Sequence, residues 1–188
     1  MRSSSRNSRN SRALVLAAAV PLLLGSAAQA ADSSHNFVLT AYSNGKGGSE
    51  LVSGDYAGAT KALHNSSVTA FDPSTTSNNR CVMLAVTKQW DSARVACDQA
   101  VRDAQQEKAM LPSYQYWARK FQNEYLAVAL SNRAVLHWMS ADKQAAADDL
   151  KRAAALSPKA DFVTRNQAAF EYSHDTTVAQ VAVAPASP

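Results

Sequence analysis

Asn132-Arg133-Ala134-Val135 matches Asn79-Arg80-Cys81-Val82 at a distance of 53 residues, and the match continues through Ala146 with Ala93, Leu150 with Cys97, and Ala153 with Ala100. Upstream, Tyr56, Ala59 and Leu63 precede Trp90, Ala93 and Cys97 by 34 residues. A shared phase at this period marks copies of one supersecondary unit, because a single unit cannot bury its apolar face alone and must stack on the next. The longer step is then one such unit plus an insertion of about 19 residues.

Local periodicity fills in the units. Val82, Leu84, Ala85 and Val86 form one short apolar segment, and Gln89-Trp90-Asp91 is its turn. Ala93, Ala96, Cys97, Ala100, Val101 and Ala104 then recur at three- and four-residue spacing, which predicts an antiparallel helix pair. Pro112 favours a new helix. Its long amphipathic face, from Tyr116 and Trp117 through Phe121 and Tyr125 to Val128, predicts a run to about Met139. Ser140-Ala141-Asp142 reads as the next turn, Ala145 to Leu156 as the next helix and Ser157-Pro158 as its stop. Asp161 caps a last helix through about Glu171. On the other side, Gly45 to Leu63 reads as two short helices broken at Ser53-Gly54-Asp55, followed by a loop from about Asn65 to Ser77.

The ends differ in character. Residues 1–30 read as a secretory leader: Arg2, Arg6, Arg9 and Arg12 precede the apolar run Ala13 to Leu24, and Ala28-Gln29-Ala30 forms a small-residue cleavage site. The apolar run is shorter than the roughly 20 residues of a membrane span. Residues 31–43 are expected to be an extended lead-in, 44–174 the helical repeat domain and 175–188 a disordered tail. The chain has 19 Lys+Arg against 15 Asp+Glu, and the four leader arginines account for the whole excess. A neutral mature chain offers no concentrated basic surface for nucleic acid. The expected product is exported, periplasmic or secreted, with no membrane span after leader cleavage.

These residues resemble the tetratricopeptide repeat family. Asn132, Ala134, Ala146, Leu150, Ala153, Leu156 and Pro158 stand at the family's spacing. A second copy keeps Asn79, Leu84, Trp90, Ala93 and Ala100 but lacks the terminal proline. The first keeps Gly47, Gly54-Asp55-Tyr56, Ala59 and Leu63. The resemblance covers roughly residues 44–166. It implies an all-α fold of antiparallel helix pairs stacked as a short right-handed superhelix, with an inserted long helix and a C-terminal capping helix. It also implies a non-enzymatic protein-binding module or scaffold, with ligand peptides along the concave face. Carried over, that face comprises Asn78, Val82, Ala85, Val86, Ser131, Val135, Trp138 and Met139, an apolar groove suited to a peptide or partner helix. The alternative is that the insert helix or the final helix covers the strip and makes it core. A structural module that self-associates, or a small exported enzyme, are the competing functional readings.

Cys81 and Cys97 are the only cysteines. An even pair in an exported chain suggests a disulfide, and two small buried thiols are the other reading. The repeat phase places both toward the interior of one helix pair and favours the bridge.

Motifs for catalysis are sparse. Ser140-Ala141-Asp142-Lys143 and Ser43-Asn44-Gly45-Lys46 share the Ser-x-x-Lys spacing, with no Lys-Thr-Gly after either. Gly45-Lys46-Gly47 lacks the ending of a phosphate loop. His35, His64, His137 and His174 show no ligand spacing. No enzyme activity, cofactor or metal is expected. Tyr114, Tyr116, Trp117, Arg119, Lys120 and Phe121 in the insert read either as a binding hot spot or as core with bases reaching outward. Asn65-Ser66-Ser67 is a glycosylation sequon.

Overall fold

The computed structural model describes residues 36–64, 73–112, 115–173 and 181–186. The leader, the sequon at Asn65 and Tyr114 lie outside the described residues. Within them the chain is mostly helical. In order, the elements are strand β1 (Phe37–Ala41), helices α1 (Gly48–Ser53), α2 (Tyr56–His64), α3 (Pro73–Val86), α4 (Trp90–Met110), α5 (Tyr116–Met139), α6 (Lys143–Leu156) and α7 (Asp161–Ser173), and strand β2 (Val181–Pro185).

Helix α3 packs on α4 and α5 on α6, joined by short turns. Ala93, Ala96, Ala100 and Ala104 are buried along α4, so small side chains let the neighbouring helices approach closely. At the second turn the Asp142 side chain accepts a hydrogen bond from the Ala145 N–H at 3.1 Å and caps α6. Gly54, at φ +82°, ends α1 in the left-handed conformation that favours glycine. Gly48 is needed for proximity: a Cβ there would stand 1.8 Å from the Tyr42 carbonyl oxygen.

Two expectations change, and the long helix expected from near Pro112 to about Met139 is α5. Residues 73–77 are helical rather than loop, because Pro73 suits a first-turn position and the Glu107 carboxylate accepts hydrogen bonds from the Ser74 N–H (3.0 Å) and hydroxyl (2.8 Å). The inserted residues are shared between the end of α4 and the expected long helix α5. They lengthen α4 to 21 residues and α5 to 24, against 14 each for α3 and α6. The tail, expected to be disordered over 175–188, contains β2, which pairs in parallel with β1 from Phe37↔Val181 to Ala41↔Pro185. A Val/Ala strand of this length has no stability alone; it forms because β1 offers a fixed edge, and the Ala186 N–H extends the pairing to the Ala41 carbonyl at 2.7 Å.

Cys81 and Cys97 form a disulfide across the α3–α4 pair, with Cα atoms 4.7 Å apart and 16 residues separating them in sequence. Replacing both by serine is expected to cost about 3 kcal/mol from loop-closure entropy alone. Denaturant midpoints of the oxidised, reduced and double-serine proteins check this, and the last two should coincide at the lower value.

The core has two clusters. One gathers Phe37, Leu39 and Ala41 with Leu51, Val82, Val135 and Leu136. The other gathers Tyr42 with Ala100, Val101, Leu126, Leu130, Phe162 and Val163. The lead-in expected at 31–43 is extended where described, yet it is central: every residue of β1 is at most 1% exposed.

Candidate functional site

Strand β1 lies against α3, α5 and α7, the face read from sequence as the concave groove. Successive residues of a strand direct their main-chain polar groups to opposite edges. One edge, at Val38, Thr40 and Tyr42, meets three buried asparagines. Asn166 accepts from the Val38 N–H at 2.6 Å and donates to its carbonyl at 2.9 Å. Asn132 does the same at Thr40, at 2.7 and 2.8 Å, and Asn79 at Tyr42, at 2.8 and 3.0 Å. The other edge, at Phe37, Leu39 and Ala41, faces β2.

A carboxamide carries one acceptor and two donors, so each asparagine replaces a neighbouring strand at one residue. The spare donors knit the grip together. Asn132 also donates to Asn78 Oδ1 at 2.9 Å, Asn78 donates to the Thr40 carbonyl at 2.9 Å, and Asn166 donates to Ser131 Oγ at 2.8 Å. Recognition therefore falls on the main chain of the strand. Burying these amides without such partners would cost on the order of 1–3 kcal/mol for each unsatisfied group.

The residues assigned to partner binding are brought together, but most are not open. Asn78, Val82, Ala85, Ser131 and Val135 are buried, Val86 and Trp138 are half-buried, and Met139 reaches 36% exposure. Their cover is β1, with the Phe37 and Trp138 rings 4.6 Å apart, together with the final helix α7, whose Asn166 bonds Ser131 and whose Ala169 packs in the same cluster. What stays open is a cavity of about 190 Å³ beside the start of β2, lined by Leu39, Tyr56, Ala85, Val86, Lys88, Trp90, Met139 and Val181. A larger cavity of about 480 Å³ at Ser77, Arg80, Leu84 and Val95 shares no residue with the assigned groove.

Lys88 is the charged residue lining the smaller cavity, and the ion pairs lie around it. The Arg133 guanidinium binds both oxygens of Asp149, at 2.7 and 2.9 Å, and reaches Asp98 at 2.9 Å, tying α5 to α6 and α4. Its hydrogen bonds to Asp149 hold Arg133 protonated even more firmly than usual, against the opposing effect of burial. On the outer half of α5, burial pushes the Glu124 carboxyl above its ordinary range, partly offset by Lys120. No group of three or more His, Cys, Asp or Glu among the described residues could hold a metal ion.

The clamp residues Asn79 and Asn132 head the matched segments of the sequence, yet their role could not be read without the strand they hold. The available signal was the asparagine recurring again at Asn166, one 34-residue period beyond Asn132. Comparisons of the chain with protein-family models, curated proteins and solved structures find no match.

Proposed function

We propose that this chain is an exported, non-enzymatic binding module of tetratricopeptide-repeat type, its helix pairs forming a short right-handed superhelix that displays a strand for pairing with an extended polypeptide. The observation that carries the reading is the asparagine grip on β1. One edge of that strand is saturated by side chains of α3, α5 and α7, so the other is left as a rigid template for main-chain pairing beside the Val86–Met139 cavity. Strand addition of this kind takes affinity from main-chain hydrogen bonds and specificity from pockets for alternate side chains. In this chain β2 occupies the template as an internal ligand. The arginine-headed leader and the disulfide support an exported location, and no helix among the described residues is long and apolar enough to cross a membrane.

The test uses protein ending at Ser173 and a synthetic peptide of residues 181–186. The tail-free protein should bind the peptide and the full-length protein should resist it. The parallel register directs the Ala184 N–H to β1 and the Val183 N–H away, so N-methylation at Ala184 should weaken binding about tenfold or more, while N-methylation at Val183 should not. Failure of the tail-free protein to bind, or equal effects of the two methyl groups, would remove the reading.

A further inference from the structure

The outer half of the α4–α5 hairpin does not belong to the core. None of the first ten residues of α5 is buried, whereas Leu126–Leu136 are almost entirely so. With ten residues more than α6, α5 is about 15 Å longer. Its first turns carry Tyr116 at 70%, Trp117 at 69% and Phe121 at 52% exposure, and Met110 at the end of α4 is 68% exposed. The Tyr116 and Trp117 rings meet edge to face at 5.6 Å. Trp117 and Phe121 share a helix face by their four-residue spacing. The reading of these aromatics as core therefore fails: they form one exposed patch.

The charge around the patch is net basic: Glu124, one turn beyond Lys120, opposes it, and Glu107 is turned to Ser74. Lys108, Arg119 and Lys120 lie in this stretch, and no Asp or Glu occurs from 108 to 123. Lys120 Nζ stands 5.7 Å from the centre of the Trp117 ring.

We infer that the first turns of α5, with Tyr116, Trp117 and Phe121, are a docking surface for an anionic lipid interface. Trp and Tyr favour the headgroup level of a bilayer, and bases on the same surface are drawn to anionic lipid. A symmetric contact between two copies would set the same net-positive surface against itself, with one Glu124 against three bases on each side. Protein hot spots are well-packed, desolvated anchors in pockets; rings standing out from a hairpin end suit an interface that needs no matching recess. The inference is independent of strand binding, because it uses no residue of β1, β2 or the clamp.

The experiment measures binding of the full mature chain to vesicles of phosphatidylglycerol and phosphatidylcholine, and to phosphatidylcholine alone, by co-sedimentation and by tryptophan quenching with brominated lipid. Each net base near the surface is worth about a fivefold gain in partitioning, so with Glu124 offsetting one of the three, anionic vesicles should bind on the order of twentyfold better, with the preference lost in high salt. Trp117→Gln/Phe121→Gln should abolish the quenching, and Arg119→Glu/Lys120→Glu the anionic preference. All four side chains lie outside the core, so unfolding midpoints of the variants should match the parent. No vesicle binding, equal binding to both compositions, or quenching that survives Trp117→Gln/Phe121→Gln would each overturn the inference.

Discussion

A chain lacking Phe37–Ala41 is expected to lose its cooperative unfolding transition. The five residues are at most 1% exposed, and burying Phe37, Val38 and Leu39 alone contributes on the order of 6 kcal/mol. That is comparable to the whole stability of an ordinary domain, about 5–15 kcal/mol. Deletion would also leave the buried carboxamides of Asn132 and Asn166 without Thr40 and Val38. Circular dichroism of the deleted protein should show helix without a sharp denaturant midpoint. A peptide of residues 36–43 added in trans should restore the transition in proportion to its concentration, because a ligand that binds only the folded state stabilises it by mass action. A deleted protein that unfolds cooperatively near the parental midpoint would mean that the groove stands without its strand.

How much of this was legible in sequence depends on where each residue's partners lie. The helix pairs were readable because their evidence is local: apolar spacing, turn residues and Pro158 sit within a few positions of what they determine. The Cys81–Cys97 bridge followed from the repeat phase, which is also local to one pair. Strand β1 was not readable, because a five-residue strand makes no hydrogen bonds within itself, and its partners Asn79, Asn132 and Asn166 are 37, 92 and 128 residues from the amides they accept. The same holds for β2, whose small residues form a strand only beside an existing edge. The groove lining was legible as apolar but not as covered. Val82, Val135 and Trp138 have the same composition whether they face a partner peptide or the chain's own strand, so burial had to come from the structure.

The asparagine clamp gives the sharper test, since Asn132→Asp changes one nitrogen to an oxygen and leaves the shape alone. The new carboxylate can still accept from the Thr40 N–H. Its second oxygen, however, would stand where Asn132 now donates to the Thr40 carbonyl and to Asn78 Oδ1, at 2.8 and 2.9 Å. Two donated bonds become two repulsive contacts around a buried charge, and the expected loss is about 4 kcal/mol at neutral pH. Asn132→Leu removes the same bonds without adding charge, and should cost about 3 kcal/mol at every pH. The pH dependence separates the two variants. Burial among oxygens favours the neutral acid, so the folded-state pKa of Asp at this position must lie above its unfolded value near 3.9. The destabilisation is then complete above the folded pKa and shrinks as pH falls through it, because the protonated acid can donate one bond to Thr40 or Asn78. Urea midpoints of Asn132→Asp and Asn132→Leu between neutral pH and pH 4 should therefore converge and then cross. A loss in Asn132→Asp that stays constant over that range would show that Asn132 does not donate to the strand, and the main-chain grip would lose its central contact.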